Sequence, residues 1–300
     1  MSLDVIIPFL KPIEHLLEAE TISEIMVNPD SSIWVEENAK IRFLPGIRFE
    51  EKALQTGLEV IANRFGKKLD PDSPMMNLRL PDGSRLAAVI PPIVNPAPLL
   101  TIRRFASQKF GIEDLIGRRT LSGEQAKQLI ASVRKGDNIL IAGGSGAGKS
   151  TLLNVLADYI PDEERILVIE DTAELRIRKP HVISAEAQLD THQRAITFDD
   201  LLRSILRHRP DRILVGEVRG AEARTLLDAM NTGHRGTLAT IHANSAEEAL
   251  RRLGSLALRG DRSSNARGVR DEVHRCLNLV VHIARIDGRR LVGEIHKVAP

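Results

Sequence analysis

Apolar positions along the chain change their spacing near residue 105. Before that point the runs are short and mixed. Residues 32–36 and 40–44 alternate apolar and polar positions and read as two strands joined by a turn at 36–39. From Phe49 to Phe65 the apolar residues Leu54, Leu58, Val60 and Ile61 recur at helical spacing, and Gly66 supplies a stop. Residues 76–80 and 85–90 flank Pro81-Asp-Gly-Ser, a turn signal between strands. Pro91, Pro92, Pro96 and Pro98 punctuate the next stretch, and residues 99–105 form a last strand. The pattern predicts a small α+β module over 1–105 with an antiparallel sheet.

Residues 106–120 read as a linker, with Gly111 and Gly117 able to serve as a hinge. From 121 to 300 the periods alternate. Strands are predicted at 138–142, 165–169, 212–215 and 236–241. Helices are predicted at 125–135, 149–159, 198–208, 221–230 and 246–257. Wholly apolar strands between amphipathic helices indicate an α/β domain with a mostly parallel, doubly wound sheet. Residues 277–284 and 290–295 around Asp287-Gly288 read as a closing hairpin.

Composition narrows the function. Lys and Arg number 42 against 40 Asp and Glu, a formal charge of +2, and only 3% of residues are aromatic. That balance argues against a base-stacking nucleic-acid platform, so no direct nucleic-acid partner is expected. One cysteine, Cys276, excludes an intrachain disulfide framework and fits a reducing compartment. No apolar run reaches the roughly 18–20 residues that span a bilayer. The N-terminus lacks a basic segment before its apolar clusters, so it does not read as a signal peptide. The expected location is cytoplasmic, with peripheral attachment to a membrane left open.

The sharpest chemical signal is the run Gly143, Gly144, Ser145, Gly146, Ala147, Gly148, Lys149, Ser150, followed by Thr151. It matches G-x-x-x-x-G-K-[ST], with an apolar strand before it and a helical pattern after it. Glycines let successive N–H groups converge on a phosphate, Lys149 can reach the β- and γ-phosphates, and Ser150 can ligate Mg²⁺. Nothing resembles the Asn/Thr-Lys-x-Asp pattern that reads guanine, which favours ATP. Two strands end in acids: Glu170-Asp171 after the strand at 165–169, and Glu217 after Ile213-Leu-Val-Gly. Ligands of open parallel sheets sit beyond the carboxyl ends of the strands, so these acids belong to the nucleotide edge. Glu217 has the form of a Walker B acid, a candidate metal ligand together with Ser150. Asp171 and Glu174 read equally as functional or structural, since Asp171 could simply be a turn residue.

The runs 169–175, 202–223 and 231–246, in this order after the phosphate loop, resemble the traffic ATPases of type II and type IV secretion. They are most similar to the conjugal-transfer and tight-adherence-pilus branch. The resemblance implies a RecA-like ATPase domain at 121–300, a PAS-like sheet at 1–105, and a homohexamer. It also implies partners in an inner-membrane secretion or pilus machine. On this basis Glu170 is the water-activating residue, Glu217 the Walker B glutamate, and His242 a neighbour of the γ-phosphate. Arg103 and Arg104 match the segment that sends arginines to the nucleotide, and Arg203, Arg207 and Arg219 also fall in motif positions. An alternative is a RecA-like ATPase that translocates nucleic acid. Plainer readings stand beside these. His242 and His234 could be structural, Arg203 and Arg207 could form a solvated stripe or pair with Asp199 or Asp200 on one helix face, and His192 and His208 read as surface residues. Trp34 and Tyr159 read as packing anchors.

Overall fold

The computed structural model describes residues 6–19, 21–37, 40–104, 110–171, 174–187, 195–261, 263 and 265–298. His192 and residues 105–109, on which parts of the sequence reading fell, lie outside them. The chain divides into two units, Met1–Lys109 and Phe110–Pro300.

The first unit holds α1 (Glu14–Glu18), β1 (Ile22–Val27), β2 (Ile33–Glu37), β3 (Lys40–Leu44), α2 (Glu51–Arg64), β4 (Met75–Arg79), β5 (Arg85–Val89) and β6 (Leu99–Arg103). Its strands form an antiparallel sheet in the order β3-β2-β1-β6-β5-β4. Leu54, Leu58 and Ile61 of α2 are buried in one core with Ile25, Val27, Ile33, Val35 and Leu100 from the strands. This is the α+β module that the spacing predicted. The central strand β1 was not predicted. A register shift between Ile22 and Glu24 breaks its alternation, and the pattern misses a strand whose apolar residues do not recur every second position.

The second unit holds α3 (Ile112–Gly117), α4 (Gly123–Lys135), β7 (Ile139–Ala142), α5 (Lys149–Ala157), β8 (Ile166–Glu170), β9 (Val182–Glu186), α6 (Phe198–Ile205), β10 (Arg212–Val218), α7 (Glu222–Asn231), β11 (Leu238–Ile241), α8 (Ala246–Gly260), α9 (Ala266–Cys276), β12 (Leu279–Ile286) and β13 (Arg289–Lys297). The sheet order is β13-β12-β7-β11-β10-β8-β9. Every neighbouring pair is parallel except the β12–β13 hairpin.

Burial on both faces explains why the strands are apolar throughout. In β7, Leu140 and Ala142 face a core that includes Leu202, Leu226, Leu253 and Val273 from α6–α9. Ile139 and Ile141 face the opposite core, with Leu115, Leu129 and Leu152 from α3–α5. The two-residue period of a strand divides each run between the two faces.

The linker reading for 106–120 is corrected at its C-terminal end. Residues 112–117 are helical, and Ile112 and Leu115 are buried in the second unit's core. Helix α4 starts at Gly123, two residues ahead of the predicted 125, because Ser122 caps it. Ser122 accepts from the Gln125 N–H and the Gln125 side chain accepts from the Ser122 N–H, a reciprocal cap. Helix α9 was not predicted. It offers only Val269, Val273 and Cys276 to the core on an otherwise charged helix.

Candidate nucleotide site

The phosphate loop leaves β7 and enters α5, the strand–loop–helix order the motif requires. Its glycines answer to different constraints. A Cβ on Gly143 would collide with the carbonyl of Ile283 on β12 and lie 3.3 Å from the Ala147 Cβ. Gly146 (φ +68°) and Gly148 (φ +101°) occupy left-handed backbone that L side chains rarely adopt. The turn at Gly148 delivers Lys149 as the first residue of α5, so the positive end of the helix meets the loop. Ser145 is exposed, and Ser150 and Thr151 are half-buried in the first turn of α5.

Lys149 is nearly buried, and its Nζ donates to the carbonyls of Gly143 at 3.0 Å and Gly144 at 2.9 Å. Burial holds its ammonium below the usual lysine range, opposed by the charges of Glu217 and Glu174. His242, immediately after β11, places Nε2 3.5 Å from that ammonium and 2.9 Å from Glu217 Oε1. Burial, followed by the Lys149 charge, lowers the His242 pKa, so the neutral ring is favoured. A neutral ring protonated at Nε2 donates to Glu217, while Lys149 spends its protons on the loop carbonyls.

Glu217 sits at an irregularity in β10, where the pairing with β11 shifts between Val215 and Val218. Such a shift re-aims a side chain. One Glu217 oxygen meets His242, and the other accepts from Arg219 at 2.7 Å. The same Arg219 guanidinium reaches Asp171 at 3.3 Å. Gly216 is needed here because a Cβ would stand 2.8 Å from the Glu170 Cγ.

The carboxylate that ends β8 and the one four residues on have separate tasks. Glu170 is buried, and one of its oxygens accepts the N–H groups of Glu174 at 2.8 Å and Leu175 at 2.9 Å. It ties the Glu174 and Leu175 backbone to the end of its own strand. Glu174 accepts the Ser150 hydroxyl at 3.0 Å. The carboxylate beside the loop serine is therefore Glu174, whereas the resemblance implies the water-activating role for Glu170. Motif spacing does not separate them.

Lys149 and Ser150, Glu217, and His242 thus converge from three segments, joined by Glu174, Asp171 and Arg219. Arg103 and Arg104 belong to the first unit. There Arg103 pairs with Glu24 at 3.5 Å, and Arg104 donates to the carbonyls of Ala19 and Ile22. Arg203 pairs with Asp199 one helical turn away, the plainer of its two readings, and Arg207 and His208 are exposed. His234 keeps Nδ1 3.2 Å from the Ala229 carbonyl. Cys276 is a buried thiol pushed up to about 11 by desolvation, with Sγ 3.0 Å from Asn231 Oδ1. Trp34 tilts against Phe43 with ring centroids 5.4 Å apart, and the Arg134 guanidinium lies 5.8 Å from the Tyr159 ring centroid.

Residues 9–294 match the family described as type II/IV secretion system protein. The chain belongs to that family. Among its relatives is the conjugal transfer protein TrbB of Rhizobium radiobacter, 35% identical over 93% of this chain and 85% of its own length. Another is the type IV secretion system protein VirB11 of Bartonella henselae, 30% identical over 97% of this chain and 92% of its own. The crystal structure of the VirB11 ATPase from Brucella suis, in complex with sulphate, is 25% identical and covers 98% of this chain and 94% of that one, with a TM-score of 0.54. The pilus retraction motor PilT with bound ADP shares the fold at 20% identity, with a TM-score of 0.68 over 99% of this chain and 83% of that one. The secretion-ATPase resemblance and the α/β fold read from the sequence agree with these findings. Among the described residues no helix is long and apolar enough to cross a membrane.

Proposed function

We propose that this family member hydrolyses ATP at the 143–150 loop as a homohexameric motor. It works on the cytoplasmic face of an inner membrane, held peripherally by proteins of a secretion, conjugation or pilus machine, with no direct nucleic-acid partner. The carrying observation is the contact chain from Lys149 through His242 to Glu217, which brings three sequence-distant motifs to the mouth of one phosphate loop.

The loop N–H groups and Lys149 hold the β- and γ-phosphates. Ser150, Glu174 and Glu217 offer hard oxygen donors, the set that suits Mg²⁺. No cluster of three or more His, Cys, Asp or Glu side chains among the described residues forms a metal cage, and Mg²⁺ in nucleotide sites takes most of its ligands from phosphates and water. When bound, that ion would neutralise charge on the phosphate oxygens. Glu174 and Glu217 are the carboxylates placed to orient a water for in-line attack. His242 and Arg219 each hold one oxygen of Glu217 and so fix its plane. Glu170 holds the N–H groups of Glu174 and Leu175 and so steadies the backbone that presents Glu174. Arg103 and Arg104 remain candidates for neutralising transition-state charge, by the resemblance of their segment.

The test is phosphate release from Mg-ATP by the purified chain, read beside its particle mass by light scattering. Lys149→Ala lowers turnover by about a hundredfold or more with an unchanged circular dichroism spectrum. A wild-type chain that releases no phosphate, either as a monomer or as an assembled ring, refutes the reading. Steep stimulation by DNA would favour the nucleic-acid motor instead.

A further inference from the structure

The closing hairpin of β12 and β13 touches the phosphate loop at three of its glycines. The carbonyl of Ile283 closes over Gly143. The stem of Arg290 crosses Gly148, its Cδ 3.0 Å from where a Cβ would stand. The Arg290 Nε donates to the Gly146 carbonyl at 3.2 Å. The hairpin is itself anchored. The Val292 N–H donates to the Thr120 carbonyl at 2.7 Å, and the Gln125 side-chain amide donates to the Val292 carbonyl at 3.1 Å. Among the described residues Arg290 has no carboxylate partner; the loop carbonyl takes its hydrogen bond. Arg118, Arg119 and Arg289 join it around a cleft of about 430 Å³.

A phosphate loop works by turning N–H groups inward, which turns the carbonyls of the same peptide planes outward. The Gly146 carbonyl and the Ala147 N–H share one plane and point in opposite directions. Arg290 holds the carbonyl on the outer side. Among the described residues the Ala147 N–H makes only a long contact, 3.4 Å, to the Gly144 carbonyl. A donor so weakly engaged is ready for a phosphate oxygen.

We infer that Arg290 is a positioning residue for nucleotide binding: by holding the 146–147 peptide plane it aims the Ala147 N–H at the phosphates. It sets affinity for the nucleotide and leaves the rate of cleavage to the carboxylates. This rests on the reading that the loop binds ATP.

The experiment measures kcat and KM for Mg-ATP, and Kd for a fluorescent ADP analogue, on the full chain. Arg290→Ala raises KM and Kd by about tenfold, the effect of one charge-assisted hydrogen bond, while kcat stays within about twofold. Arg290→Lys, which keeps one donor, recovers part of the loss. Arg289→Ala, in the same cleft but without the loop contact, leaves KM within about twofold. An unchanged KM in Arg290→Ala overturns the inference, as does a fall in kcat alone. An equal rise in Arg289→Ala also overturns it, because a general cationic field would then be sufficient. Should Arg290→Ala fail to fold, Arg290→Lys and Arg290→Gln carry the same comparison. A wild-type chain that binds no nucleotide removes the underlying loop assignment instead, a result distinguishable from the others.

Discussion

Glu170 and Glu174 show how far a residue's role depends on geometry that its neighbours in sequence do not reveal. One ends an apolar strand and the other follows it, and either could serve a nucleotide edge. Glu170 is the last residue of β8, buried, and engaged by two backbone N–H groups. Glu174 instead accepts the Ser150 hydroxyl. Glu174→Gln therefore lowers kcat by about 10²-fold or more without lowering the melting temperature, whereas Glu170→Gln keeps turnover within about tenfold and costs stability instead. Parallel phosphate-release assays and thermal melts decide it, and the reverse order would return the water-side role to Glu170. The types of the site residues were legible in the sequence, because phosphate, metal and water each demand particular atoms. Which acid faced the loop was not legible, because acids four residues apart after one strand are equally near its end in sequence.

At the scale of the element, strand, loop and helix were read correctly around the phosphate site, since each left a clear period. What the motif hides is that its glycines are not equivalent. Gly143 is pressed against the Ile283 carbonyl of a strand more than a hundred residues later, whereas Gly144 has nothing near its missing Cβ. Gly143→Ala must displace β12 and costs about 1–3 kcal/mol, while Gly144→Ala stays within about 0.5 kcal/mol. Urea unfolding midpoints measure both, and equal costs would mean that the hairpin yields easily. The elements missed by pattern have physical excuses. β9 is an edge strand with no buried position, and α9 buries a narrow stripe on a helix otherwise full of charge. Each takes its structure from the neighbour it covers more than from a strong period of its own.

For the whole molecule, the first unit's core draws on residues 6–102 and the second unit's two cores on residues from 112 onward, with none in common. A domain with its own core can fold alone. Residues 110–300 expressed by themselves are expected to give a cooperative melt and to retain binding of a fluorescent nucleotide; an unfolded fragment would mean that the first unit is required. The sequence alone determined the two-part organisation, the alternation of the second half and the chemistry of the phosphate loop. These depend on local period and on atom types that the reaction demands. Tertiary structure alone decided that Glu174 meets Ser150, that His242 bridges Lys149 and Glu217, and that Arg290 braces the loop from a late hairpin. Those contacts join segments tens to more than a hundred residues apart, and only the order of strands in the sheet brings them together.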